Sequence, residues 1–179
     1  MKNICFCFQM HAPYRMKRYR FFAIGQDHYY YDDILTEEHV IWLVHTSYMP
    51  LCRTLQEMIR LSKGRFHCAL SVSGVMLEML QHYAPEMIDV FNYFADSGCV
   101  QFVATPYSHS LATVYSDTEA AEQLQSQQAI VKQLFNQQST TICNTELIYS
   151  DEIAISLYQQ GYKTVMTEGA KHVLSWKSP

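Results

Sequence analysis

The chain has 179 residues, of which 49% are hydrophobic and 17% charged, with a formal net charge of −4. That length suits one domain able to bury a real core, and the scattered charge points away from a polyanion partner, since Lys17, Arg18 and Arg20 beside Arg15 make only a short basic cluster. No stretch approaches the roughly 20 apolar residues of a membrane span, and the apolar run after Lys2 breaks at Gln9 and His11 without a small-residue cleavage site, so neither nucleic acid nor membrane is an expected partner and a cytoplasmic location is expected.

In chain order, Ile4 to Phe8 reads as a buried first strand limited by Gln9 and Pro13, and the aperiodic stretch from Met10 to Asp33 as a long loop at its end. Leu51, Leu55, Met58 and Ile59 recur at helical spacing, with Ser47 as cap, Pro50 in the first turn and Gly64 as stop. Phe66 to Ser73 fits a second strand. Val75 to Leu80 and Met87 to Ala95 read as helices, the latter ended by Gly98, and Cys99 to Ala104 as a third strand closed by Pro106. Ser116 and Glu119 have capping-box spacing before a long helix with Ala121, Leu124, Val131, Leu134 and Phe135 as its apolar stripe and its glutamines as a solvated face. Thr140 to Thr145 is a fourth strand. Ser150 and Asp151 cap a helix that uses Ile153, Ala154, Leu157 and Tyr158, Gly161 ends it, and Lys163 to Thr167 is a fifth strand.

Strand and helix alternation of this kind predicts an α/β fold with a mostly parallel sheet covered by helices. Chemistry in such folds collects beyond the C-terminal ends of the strands. Those ends carry His11, then Ser73 and Gly74, then Tyr107, Ser108 and His109, then Asn144, Thr145 and Glu146, then Thr167, Glu168 and Gly169. Glu146 is the sharpest, because a carboxylate between Cys143 and Leu147-Ile148 is expensive to desolvate without partners or a function. Spacing leaves catalysis, a solvated loop carboxylate and a structural salt bridge all open. Glu168 has the weaker case, as a helix-capping or solvent-facing residue. His11 and His109 lack a third ligand at diagnostic spacing, so substrate contact or hydrogen bonding is favoured over metal ligation. Tyr29, Tyr30 and Tyr31 offer an aromatic platform for a sugar, although three adjacent rings cannot all face one ligand. The six cysteines, Cys5, Cys7, Cys52, Cys68, Cys99 and Cys143, form no CxxC pair and read as reduced structural thiols. No cofactor or metal is expected.

His11-Ala12-Pro13-Tyr14-Arg15, Arg18 to Phe22 and His28 to Asp33 resemble the opening of glycoside hydrolase family 57, which contains α-amylase-like and 4-α-glucanotransferase enzymes. Ser71 to Gly74, Tyr107 to Leu111, Asn144 to Tyr149 and Thr167 to His172 continue the likeness in order, so that residues 1–179 resemble the N-terminal part of that family's catalytic barrel. The resemblance implies an incomplete seven-stranded (β/α) barrel, here reduced to about five parallel strands. It also implies a retaining glycoside hydrolase or glucanotransferase acting on α-1,4-glucans, with Glu146 as nucleophile and His11, Tyr31 and His109 contacting substrate. The family's general-acid aspartate belongs to a later motif, so it is expected beyond Pro179, in a remaining C-terminal part, and Asp32, Asp33 and Asp151 are not its replacements. Turnover by the isolated chain is therefore not expected. Departures stand at Ala12, where the family motif has glutamine, at Gln101, where an acid is common, and at Thr105, where relatives tend to have glutamate. These departures make a noncatalytic glucan-binding or structural domain the first alternative. A metal-dependent polysaccharide deacetylase, with His11 or His109 as ligand, is the second.

Overall fold

The structure is a computed structural model that describes residues 4–26 and 28–169. The motif residues Ala170, Lys171 and His172 lie outside the described residues. Five short parallel strands are found among the described residues: β1 Cys7–Met10, β2 Cys68–Val72, β3 Val100–Val103, β4 Thr141–Cys143 and β5 Thr164–Met166. They pair in sequence order as β1-β2-β3 and β4-β5, and a single parallel bridge from Ala104 to Ile142 joins the two groups. The sequence reading therefore found each of the strands among the described residues, with β1 lying further along than expected because Gln9 and Met10 pair with Ser71 and Val72.

The helices are α1 Asp33–Leu43, α2 Met49–Leu61, α3 Gly74–Tyr83, α4 Pro85–Asp96, α5 Ala112–Tyr115, α6 Asp117–Phe135 and α7 Asp151–Gln159. Ser47 is not a cap, because helical backbone runs unbroken from α1 through residues 44–48 into α2. Pro50 has no N–H to offer the preceding turn, and the ladder widens there, with Met49 N–H reaching Val44 O. The buried stripe of α2 is Cys52, Leu55 and Ile59, while Met58 is 39% exposed. Gly64, Gly98 and Gly161 all stand in the left-handed region after helices, as read.

Ser73, Ser116 and Ser150 each accept a backbone N–H at the start of α3, α6 and α7. The capping box on α6 is half formed, since Glu119 instead accepts from Gln123. Three further readings fail on burial: in the run Ile4 to Phe8, read as buried, Ile4 is 80% and Phe6 46% exposed. Tyr158 is 76% exposed, and Gln127 on α6 is fully buried, donating from Nε2 to Val72 O at 3.2 Å. A glutamine there ties α6 to the end of β2 rather than facing water.

The main core fills the space between β1-β2-β3 and α1, α2, α3, α4 and the C-terminal half of α6. At its centre Phe102 stacks on Phe135 at 4.3 Å, and Phe91 meets both rings edge-on. A smaller core of Ala104, Leu124, Ile142, Ile153, Leu157 and Tyr162 holds β4 and α7. All six cysteines are free thiols. No helix among the described residues is long and apolar enough to cross a membrane.

Candidate functional site

Parallel strands release their following loops on one face of the sheet, and register decides which residues meet there. Met10 pairs with Val72, so the next residues, His11 and Ser73, are brought side by side, with His11 Nδ1 2.8 Å from Ser73 Oγ. Ser73 is buried, and its oxygen also accepts Met76 N–H at 3.2 Å as the cap of α3. One serine thus anchors both a helix end and an imidazole.

His109 comes from the loop after β3. A turn closed by His109 N–H to Pro106 O at 2.9 Å puts His109 in the left-handed region, at φ 53°. Its ring lies 4.5 Å from that of His11, and Gln9 Nε2 stands 3.5 Å from its Nδ1. The same loop is pinned to α3 by Val75 N–H to Tyr107 O at 3.1 Å, with the Tyr107 ring laid on Gly74, where a Cβ would come within 2.1 Å of the ring. The start of α3 therefore locates both histidines.

Glu146 follows β4 by three residues, in a tight turn closed by Leu147 N–H to Asn144 O and Ile148 N–H to Thr145 O. Glu146 and Leu147 are both left-handed, at φ 53° and 56°, a conformation unfavourable for residues with a Cβ. Asn144 holds this turn from below: it is fully buried, donates from Nδ2 to Ile148 O at 2.9 Å and is hydrogen-bonded to Thr113 Oγ1. The Glu146 side chain is 75% exposed, and its Oε1 lies 3.8 Å from His109 Nε2.

Burial, with the nearby His109 second, lowers His11 to about 4. Burial also holds His109 below its ordinary value, an effect that Glu146 partly offsets. Two imidazoles that stay neutral at pH 7 and one solvated carboxylate form a group able to present N–H donors and an anionic oxygen to a hydroxylated ligand.

The structure brings His11, His109 and Glu146 together at the ends of β1, β3 and β4. Tyr31 stands instead in an aromatic group on the excursion after β1, 5.3 Å from the Tyr14 ring and 6.1 Å from the Tyr29 ring, with its backbone bridged to Met16. Asp32 caps α1, Asp33 accepts from Tyr29 and Asp151 opens α7. Glu168 is exposed beyond β5. Of the departures, Ala12 is buried, Gln101 hydrogen-bonds Ser139, and Thr105 is buried with its hydroxyl lacking a partner. Among the described residues no group of three or more His, Cys, Asp or Glu could hold a metal ion. Sequence reasoning missed Gln9, which it used only as a strand boundary. A polar residue alternating with Phe8 and Met10 was the available signal.

Comparison with known proteins gives a consistent picture. The sequence profile of glycosyl hydrolase family 57 matches residues 5–179. A Methanocaldococcus jannaschii protein named "Putative alpha-amylase" is 28% identical over 182 residues, covering 98% of this chain and 38% of that protein. The crystal structure of 4-alpha-glucanotransferase from Thermococcus litoralis superposes with a TM-score of 0.67 at 17% identity, over 90% of this chain and 21% of the enzyme. A family 57 branching enzyme from Thermococcus kodakaraensis gives a TM-score of 0.63 at 14% identity, over 90% of this chain and 38% of its own. At those identities the structures speak for the fold, an α/β arrangement of parallel strands and helices. The chain spans well under half the length of each of these relatives.

Proposed function

The chain belongs to glycosyl hydrolase family 57, and we propose that it carries the nucleophile half of a retaining site acting on α-1,4-glucans, with Glu146 as nucleophile. The carrying observation is the meeting of three strand ends: Glu146 on strained backbone after β4, 3.8 Å from His109, whose ring lies 4.5 Å from His11. Strain of about 1–3 kcal/mol at a residue with an exposed carboxylate has no structural return, which is the pattern of a position kept for chemistry.

In this reading a Glu146 oxygen attacks the anomeric carbon as the bond to the leaving glycosyl oxygen breaks, and a carboxylic acid about 5 Å away protonates that oxygen. Water then releases the sugar, or a glucan hydroxyl takes it in transfer. His11 and His109 contact the substrate beside Glu146, and Tyr31 contacts it from its separate aromatic group on the excursion after β1. The acid is assigned to a part of the parent protein outside these 179 residues, and the strands described here to an incomplete seven-stranded barrel. Acid–base assistance contributes about 10²- to 10⁴-fold, so the isolated chain is expected to turn over maltooligosaccharides no faster than background. A noncatalytic glucan-binding domain is the second reading, favoured by the buried methyl of Ala12 where the family motif has an amide.

The test uses a chain extended past Pro179. Maltooligosaccharide hydrolysis or transfer should appear there and fall at least about 10³-fold in Glu146→Gln with sugar binding retained. A glycosyl adduct mapped by mass spectrometry to Glu146 would secure the role. Full activity in Glu146→Gln would end it, and sugar binding without turnover in either protein would establish the second reading.

A further inference from the structure

Ser73 makes two hydrogen bonds in a buried position, and they are chemically unequal. The backbone N–H of Met76 can only donate, so Ser73 Oγ accepts from it at 3.2 Å. The hydroxyl proton then needs an acceptor, and Ser73 is 1% exposed, so bulk water does not provide one. The ring nitrogen of His11 is there, 2.8 Å away at Nδ1. If Nδ1 carried the ring proton instead, the serine oxygen would accept twice and its own buried O–H would go unpaired, an unfavourable arrangement.

We infer that Ser73 is a positioning residue that fixes the tautomer of His11, leaving Nδ1 as acceptor and placing the ring proton on Nε2, the edge remote from Ser73. Neutral imidazole has one donor and one acceptor, and which is which decides what it offers a ligand. With the proton on Nε2, His11 presents a donor, suited to the lone pairs of a sugar hydroxyl or ring oxygen. At His109, Gln9 Nε2 stands 3.5 Å from Nδ1 and Glu146 Oε1 lies 3.8 Å from Nε2, so a ring proton on Nε2 would face the carboxylate. The serine also explains how the device is built into the fold, since the residue that starts α3 is the one parallel pairing sets beside the residue after β1. The sugar-contact part rests on the proposed function, whereas the tautomer does not.

Histidine ring nitrogens are distinguished by long-range ¹H–¹⁵N correlation spectra of the ¹⁵N-labelled chain. The expected pattern for His11 at neutral pH is an unprotonated Nδ1 and a protonated Nε2. Ser73→Asp keeps a capping side chain for α3 but offers His11 only an acceptor, so it should move the proton to Nδ1. Ser73→Gly, which preserves the cap position with little loss, should leave a mixture of tautomers, and Ser73→Thr should restore the wild-type pattern. Maltotriose added to the wild-type chain should shift the His11 Nε2 signal, with about tenfold weaker binding in Ser73→Asp. A protonated Nδ1 in the wild type, or the wild-type pattern retained in both Ser73→Asp and Ser73→Gly, overturns the inference. The expected tautomer with no response to maltotriose supports the role of Ser73 and counts against the glucan reading alone.

Discussion

The Tyr107 ring lies against the backbone of Gly74 so closely that no side chain fits between them. The contact joins the first residue of α3 to the loop that delivers His109, and the hydrogen bond from Val75 N–H to Tyr107 O closes it. Gly74→Ala should therefore act as an overpacking change, costing about 1–3 kcal/mol in chemical denaturation despite the better helix propensity of alanine. A double-mutant cycle with Tyr107→Ala checks the cause: the penalty should largely vanish once the ring is gone.

Glu146 offers a test of whether function is held against stability. Glu146→Gly removes the left-handed penalty at φ 53° and should raise stability by about 1 kcal/mol, whereas Glu146→Gln keeps the Cβ and should leave it nearly unchanged. Thermal or urea unfolding of the pair separates the backbone effect from that of the charge.

Asn144 supports the same turn from within the core. Asn144→Ala leaves the half-buried Ile148 carbonyl and Thr113 hydroxyl without their partner, so a loss of about 1–2 kcal/mol is expected, with faster amide exchange at Leu147 and Ile148. A change below about 0.5 kcal/mol would show that the turn does not depend on it.

Folding stability should also respond to His11. Its folded value of about 4 lies below the ordinary 6.5, so between those values the unfolded chain binds a proton that the folded chain does not. Stability is therefore full above about pH 6.5 and falls as pH drops through the window, by an amount on the order of 2 kcal/mol. The lowering of His109 acts with the same sign. Denaturation midpoints from pH 7 to 4.5 should show the decline, and His11→Asn should flatten it.

Sequence order, turn glycines and serine caps made the strand and helix alternation legible, because each is a local signal. Helix α1 escaped for a physical reason: only Thr36 and Val40 are buried, while Ile34, Leu35 and Trp42 are exposed, so its apolar residues trace no stripe. Gln127 escaped because its burial follows from where the end of β2 lies, which no local pattern encodes. In the candidate site the strand-end rule led to His11, His109 and Glu146, and the start of α3, where Ser73 meets His11 and Val75 holds the His109 loop, then brought the two histidines together. Tyr31 shared their stretch of sequence without sharing their place, since the excursion folds on its own aromatic contacts. The left-handed backbone under Glu146 was not readable, because neither it nor Leu147 is a residue type that favours that conformation.

The joint between β3 and β4 is narrow: Ala104 N–H to Thr141 O and Cys143 N–H to Ala104 O span it, whereas β1 and β2 pair at four positions. The two cores meet along α6, which contributes Val131 and Phe135 to one and Leu124 to the other. Glu146 belongs to the small side of this joint, and His109 and His11 to the large one. Parting along it would carry the carboxylate away from its imidazoles while the phenylalanine cluster and most of the helix stayed intact. The integrity of the site and gross foldedness are thus separable properties of this chain: under mild denaturant, circular dichroism would still read a folded protein after the site had come apart.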